Sequence, residues 1–118
     1  LAIKIYMAAI SKKITICAPE LLDLEIANAI TTKYAINSQL LKEMMDHYYS
    51  LPIQKIKITQ ELVNETAQLA KEHQTSVYDM LYAVVAKNQG CTLVTADQKF
   101  VAKVKSKHVV FLTDYQKK

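Results

Sequence analysis

The sequence lacks arginine and tryptophan, and it has little glycine, proline or cysteine. Its 118 residues include one glycine, two prolines and two cysteines. So few chain-breaking residues exclude long disordered linkers. No apolar run approaches the roughly 20 residues of a membrane-spanning helix, and no signal-peptide pattern is present. We therefore expect a single soluble, cytoplasmic domain over residues 1–118, with no membrane partner.

The absence of arginine limits how this chain can contact a polyanion. All fifteen basic residues are lysines, and the net charge is +4. A mildly basic balance is compatible with a nucleic-acid partner. Without the planar guanidinium fork, phosphate contacts depend on lysine charges, hydroxyls and backbone amides. A lysine cluster follows Asp97, and within it Lys99 and Lys103 are candidates for phosphate steering, although such a cluster is more often a solvated face.

The two cysteines give no sign of a metal site. Cys17 and Cys91 fall in apolar, strand-like runs, and they form neither a CxxC motif nor a metal-ligand spacing. We expect them to be small buried hydrophobic residues in a reducing compartment.

Strand-like and helix-like segments alternate along the chain. Short apolar or alternating runs predict strands, and longer segments with an apolar face predict helices. This alternation predicts an α/β fold, a three-layer α/β/α sandwich around a mostly parallel sheet. The expected strands are 13–17, 91–94 and 108–112, and residues 53–58 are expected to form a strand or an extended edge segment. The expected helices are 1–10, 19–34, 38–51, 59–70, 76–87 and 97–105, and Thr59 is expected to cap the fourth of them.

Two acids stand where a parallel sheet places ligands, beyond the carboxyl ends of its strands. Asp97 follows a strand-like segment, in the sequence Thr95-Ala96-Asp97. Asp79 lies three residues after Ser76, in the first turn of a predicted helix. A right-handed crossover would bring these two elements together. A structural interpretation is equally open, because Ser76 with Asp79 matches a capping box and Asp97 suits a helix N-cap.

A third acid, Glu25, lies on a narrow polar strip of its helix. Asn28 and Thr32 share this strip, which predicts a partly buried carboxylate, although a solvated strip is the common alternative. Converging carboxylates without a catalytic cysteine or a serine–histidine pair favour a hard cation. Oxygen donors suit Mg²⁺ or Mn²⁺ rather than Zn²⁺.

Three segments, in this order and spacing, resemble the PIN-domain proteins, and among them the VapC-type ribonuclease toxins of toxin–antitoxin systems. They are Ala18-Pro19-Glu20-Leu21-Leu22-Asp23-Leu24-Glu25-Ile26-Ala27-Asn28-Ala29-Ile30, Ser76-Val77-Tyr78-Asp79-Met80-Leu81-Tyr82-Ala83-Val84-Val85-Ala86 and Gly90-Cys91-Thr92-Leu93-Val94-Thr95-Ala96-Asp97. The resemblance spans roughly residues 1–112.

The resemblance implies a metal-dependent endoribonuclease that uses Mg²⁺ or Mn²⁺. A cognate antitoxin would hold it inactive, and a homodimer is expected. By position, the catalytic and metal-binding acids would be Glu25, Asp79 and Asp97, and the supporting polar groups would be Asn28, Ser76 and Thr95. Hydrolysis would leave a 5′-phosphate and a 3′-hydroxyl.

The sequence departs from the family at its start. The family begins with an apolar strand that ends in an aspartate and forms the middle of the sheet, and nothing before Leu1 supplies it. We therefore expect an N-terminally truncated PIN-like domain that lacks its central first strand and one acid. The alternative function is a catalytically inactive PIN-like fragment that acts as a protein- or RNA-binding module.

Overall fold

The computed structural model describes residues 14–33 and 35–117, and these residues form five α-helices and four short strands. The alternation of the two confirms the predicted α/β fold. The helix expected over residues 1–10 lies outside the described residues. In chain order the elements are β1 (Ile16–Pro19), α1 (Leu21–Lys33), α2 (Ser38–Ser50), β2 (Ile53–Ile56), α3 (Gln60–His73), α4 (Val77–Asn88), β3 (Leu93–Thr95), α5 (Gln98–Val104), β4 (Val109–Phe111) and a closing 3₁₀ helix (Leu112–Lys117).

The strands pair in parallel, as the alternation predicts. Strand β1 pairs with β2 from Ile16 opposite Ile53 onward, and β3 pairs with β4 from Leu93 opposite Val109 onward. In the described part of the chain these pairs form two separate two-stranded sheets. Each parallel pair is joined through helices, as parallel strands require.

Helix α4 forms the centre of the core. It contacts α3, β1 and β3, so little of its circumference meets water. This is why its sequence is apolar on nearly every face. No described helix is long and apolar enough to cross a membrane. The buried residues of α4 are Met80, Leu81, Ala83, Val84, Val85 and Ala86.

Polar side chains cap the N-termini of α2 and α3. Thr59 precedes α3, and its hydroxyl accepts a hydrogen bond from the Leu62 N–H at 3.1 Å, which confirms the predicted cap. Asn37 caps α2 in the same way through the Leu40 N–H at 2.8 Å. The one fully buried polar residue of the described core, Thr66, donates its hydroxyl to the Leu62 carbonyl at 2.7 Å.

Pro19 corrects one predicted boundary. The sequence suggests that Pro19 and Glu20 open a helix, but Pro19 is the last residue of β1 and lies opposite Ile56. The parallel pairing continues past it, because the Glu20 N–H donates to the Ile56 carbonyl at 3.0 Å. Proline has no N–H to donate, and an edge strand, such as β1 in the described two-stranded sheet, tolerates that loss. Helix α1 therefore begins at Leu21.

A polar cluster of Asp23, Tyr48 and Lys55 joins α1, α2 and β2. The Asp23 Oδ1 accepts a hydrogen bond from the Tyr48 hydroxyl at 2.8 Å. The same oxygen forms an ion pair with the Lys55 ammonium at 2.5 Å. The ammonium also lies 4.4 Å from the centre of the Tyr48 ring. Tyr48 is buried, and the cluster gives its hydroxyl a partner.

The cluster shifts the pKa values of its members in directions that favour the ion pair. Hydrogen bonds from Lys55 and then Tyr48 hold the pKa of Asp23 below its usual range. Burial disfavours the charged form of Lys55, but hydrogen bonds to Asp23 and Tyr48 outweigh it, so the pKa of Lys55 is raised. Both shifts keep Asp23 and Lys55 charged between mildly acidic and mildly alkaline pH.

We expect Lys55→Met to lower the free energy of unfolding by about 1 kcal/mol at neutral pH, because Asp23 loses its cation. A carboxyl whose pKa is depressed on folding contributes stability above its unfolded pKa of about 4, and that stability is lost as pH falls through the folded pKa. Urea unfolding of both proteins should therefore show a difference that shrinks below about pH 4.

The matched control is Lys42→Met, which removes an ion pair between Lys42 and Asp46. The Lys42 side chain is 72% exposed and the Asp46 side chain is 63% exposed. That variant should lose less stability than Lys55→Met, since exposed pairs are screened by water. Equal losses in the two variants would contradict the structural role of the cluster.

Candidate functional site

Asp79 lies in the first turn of α4, three residues after Ser76, which is the N-cap of this helix. The Ser76 Oγ accepts a hydrogen bond from the Asp79 N–H at 3.0 Å, which is the serine half of the predicted capping box. Among the described residues, no bond from the Ser76 N–H to the Asp79 carboxylate completes the box. The exposed carboxylate is therefore available to a ligand at the positive end of the helix dipole.

Asp97 is the N-cap of α5, two residues beyond β3. Its Oδ1 accepts a hydrogen bond from the Phe100 N–H at 3.1 Å, which confirms the capping interpretation. The Thr95 Oγ1 accepts from the Asp97 N–H at 3.1 Å, so Thr95 fixes the backbone that carries the carboxylate. The cap engages one carboxylate oxygen, and within the described chain no hydrogen bond engages the other. Capping and ligand binding are therefore compatible at Asp97.

The carboxyl end of β3 and the start of α4 enclose one cavity, which we call the acidic cavity. Its volume is about 210 Å³. Asp79 and Asp97 both line it, as the crossover argument predicts. The full lining is Asp79, Tyr82, Leu93, Val94, Thr95, Asp97 and Phe100.

Glu25 is connected to the acidic cavity through Tyr82. The Tyr82 hydroxyl donates a hydrogen bond to the Glu25 Oε1. The side chain of Glu25 is exposed, so the prediction of partial burial is wrong. The reason is that α1 buries little of its surface: Ile30 is its one buried residue in the described chain, and Leu24 is 70% exposed.

Tyr82 is the site residue that the sequence interpretation missed. Its spacing of three from Asp79 places both side chains on one helix face, and this was the available signal. Burial raises the pKa of Tyr82, and the hydrogen bond and charge of Glu25 raise it further. The charge of Asp79 adds to the effect. Tyr82 is therefore a hydrogen-bond donor at neutral pH and orients the Glu25 carboxylate.

The arrangement of acids limits what a metal site here can be. Among the described residues, no group of three His, Cys, Asp or Glu side chains could hold a metal ion. However, Mg²⁺ is usually held by one or two carboxylates together with waters and substrate phosphates. Asp79 and Asp97 offer such carboxylates at one cavity. Their oxygen donors fit Mg²⁺ or Mn²⁺ and do not favour Zn²⁺.

Three other residues predicted from the sequence, Lys99, Lys103 and Asn28, lie in different places relative to the acidic cavity. Lys99 is exposed and lines a shallow hollow with Thr95 and Asp97. Lys103 points elsewhere, since its ammonium donates to the Gln74 carbonyl at 3.0 Å. Asn28 is exposed on α1, and its carbonyl accepts from the following threonines. Lys99 is therefore the lysine of this pair that lies beside the acidic cavity.

The chain belongs to the PIN domain family, whose sequence profile matches residues 2–105. PIN domains are generally nucleases, and they generally use divalent metal ions. A search of curated proteins finds no match. The family therefore establishes the class of protein, and the acidic cavity is the place in this fold where such chemistry can be sought.

We expect Tyr82 to ionise at a higher pH than an ordinary tyrosine, whose pKa is about 10. Subtracting the alkaline absorbance titration of Tyr82→Phe from that of the wild type isolates this side chain, and its midpoint should lie above about pH 10. Because the pKa is raised on folding, the linked stability is present below about pH 10 and is lost as pH rises through the folded pKa.

A midpoint at or below about pH 10 in the Tyr82→Phe difference curve would contradict both the burial of Tyr82 and its hydrogen bond to Glu25.

Proposed function

We propose that this chain is a metal-dependent endoribonuclease and the toxin of a toxin–antitoxin pair. The observation that carries the proposal is the placement of Asp79 and Asp97 on one cavity at the carboxyl end of β3. Membership of the PIN domain family supports nuclease chemistry in general. The assignment to RNA and to a toxin rests on the resemblance of the three acid-bearing segments to the VapC-type toxins.

The chemistry follows from what these side chains can hold. Asp79 and Asp97 would bind Mg²⁺ or Mn²⁺, and Glu25 would face the same region, oriented by the Tyr82 hydroxyl. When bound, such an ion supplies an activated water and stabilises charge on a phosphodiester. Thr95 holds the backbone of Asp97 in place, and Lys99 supplies positive charge beside the cavity for the RNA phosphates.

Exposed apolar side chains support the proposed protein partners, a cognate antitoxin and a second copy of this chain. Leu24 on α1 is 70% exposed, Tyr78 on α4 is 66% exposed and Tyr49 on α2 is 57% exposed. Large apolar groups at the surface are a feature of binding sites when they form a patch. Leu24 precedes Glu25 on α1 and Tyr78 precedes Asp79 on α4, so a partner bound at either apolar side chain would lie near an acid of the site.

We expect Asp79→Asn and Asp97→Asn each to reduce Mn²⁺-dependent cleavage of RNA by more than about a hundredfold, which exceeds the usual cost of losing a supporting group. Asparagine keeps an oxygen that can cap α5, so Asp97→Asn should remain folded. The measurement is the cleavage rate of a structured RNA at matched protein concentration, with circular dichroism to confirm folding.

The matched control is Asp46→Asn, an exposed acid that pairs with Lys42 on α2. It should cleave RNA at the wild-type rate, and a chelator should abolish cleavage by both proteins. Equal cleavage rates for the wild type and for both cavity variants would contradict the proposed function.

The absence of a three-acid group in the described chain favours a second candidate, an inactive PIN-like binding module. This module would bind Mn²⁺ weakly or not at all and would cleave no RNA, but it would retain RNA or a protein partner. Calorimetric titration with Mn²⁺ separates the candidates. Binding that is lost in both Asp79→Asn and Asp97→Asn supports the nuclease, and absence of binding supports the module.

We expect Lys99→Gln to weaken RNA binding several-fold and to reduce its salt dependence, because a phosphate-contacting lysine contributes through counterion release. Lys103→Gln should affect binding less, since its ammonium is engaged by the Gln74 carbonyl. Fluorescence anisotropy at several salt concentrations measures both effects. Equal losses in the two variants would show that the acidic cavity does not set the path of the RNA.

A further inference from the structure

A groove separates the two sheets, and both cysteines line it. Cys17 belongs to β1, and Cys91 lies two residues before β3. Helix α4 forms the floor through Tyr82, Val85 and Ala86, and the groove encloses about 490 Å³. The thiols therefore belong to opposite walls of the groove, one within β1 and the other in the segment that leads into β3.

The two thiols meet across this groove. The Cys17 Sγ lies 3.3 Å from the Cys91 Sγ and donates a hydrogen bond to it, although 74 residues separate them in sequence. Both are half-buried free thiols, so the prediction that they are buried hydrophobic residues is wrong. The predicted acids and their supporting residues make no use of either thiol. Their proximity needs a separate explanation.

We propose that Cys17 and Cys91 form an oxidative modification site whose substrate is a small disulfide such as oxidised glutathione. Oxidation joins the two thiols in a disulfide that links the β1–β2 sheet to the β3–β4 sheet. A disulfide bond is about 2.05 Å long, so the sulfurs need to approach by little more than about 1 Å. This inference does not depend on nuclease activity.

The exchange proceeds in two balanced steps. The Cys91 sulfur attacks one sulfur of the small disulfide, so a mixed disulfide forms, the S–S bond of the oxidant breaks and one small thiolate leaves. The Cys17 sulfur then attacks the Cys91 sulfur, so the protein disulfide forms and the second small thiolate leaves. Each thiolate takes up one proton from a protein thiol. Two protein thiols are oxidised, and the small disulfide is reduced to two thiols.

The environment of Cys17 sets the order of these steps. Burial, and then the hydrogen bond and charge of Cys91, raise the pKa of Cys17 to about 11. Cys17 is therefore protonated at neutral pH and is a poor first nucleophile, because the thiolate is the attacking form. Because the Cys17 Sγ also donates its hydrogen bond to the Cys91 Sγ, we assign the first attack to Cys91 and the resolving attack to Cys17.

The test is a redox equilibrium of the reduced chain in buffers of reduced and oxidised glutathione, first folded and then unfolded in urea. Acid quenching, alkylation and intact mass measurement give the fraction that has lost two hydrogens. Since the sequence contains two cysteines, an intramolecular disulfide has one possible connectivity. The effective concentration of the thiols should be at least about tenfold higher in the folded chain, because closing a long loop is entropically costly.

Cys17→Ser should stop at a mixed disulfide on Cys91, and neither Cys17→Ser nor Cys91→Ser should form the intramolecular product. The oxidised wild type should melt several degrees above its reduced form, because a cross-link constrains the unfolded chain, whereas the oxidant should not raise the Tm of either variant. Equal effective concentrations in the folded and unfolded chains would overturn the proposal. So would products that are only mixed disulfides or intermolecular dimers.

Discussion

Burial of helix α4 is the constraint on which the rest of the structure depends. Its apolar residues contact α3 and strands from both sheets. Each fully buried large apolar side chain contributes about 1.5–3 kcal/mol relative to exposure, which exceeds any exposed ion pair in this chain. The helix therefore fixes where its polar residues go. Asp79 is held in its exposed first turn, and Tyr82 is held on the face that meets Glu25.

The acidic cavity follows from how two helices begin. Asp79 and Asp97 both lie at helix N-termini, where the helix dipole favours a carboxylate. Ser76 caps α4, so the Asp79 carboxylate is not needed as a cap. Asp97 caps α5 with one oxygen and keeps the other. A cation bound at the cavity, as proposed, would be compatible with both capping arrangements.

Local signals in the sequence predicted much of the fold and part of the site. Periodicity and cap residues predicted the helices and parallel strands, and the Thr59 and Asp97 caps are confirmed. Contacts between distant residues were not predicted: Tyr82 with Glu25 spans 57 residues, and Cys17 with Cys91 spans 74. Such contacts depend on how elements pack, which neither propensity nor spacing encodes. The roles of the acids as metal ligands stay predictions.

Tyr82 makes the groove and the acidic cavity parts of one network. Its ring lines both the groove between the sheets and the cavity of Asp79 and Asp97, and its hydroxyl contacts Glu25. A change in the spacing of the two sheets therefore acts on a side chain that also orients an acid. Asp97 lines the cavity but not the groove, so Asp97→Asn, which keeps an oxygen for the α5 cap, changes the acids without changing the lining of the groove. Comparing substitutions at Tyr82 and at Asp97 therefore separates a change in sheet spacing from a defect in the acids.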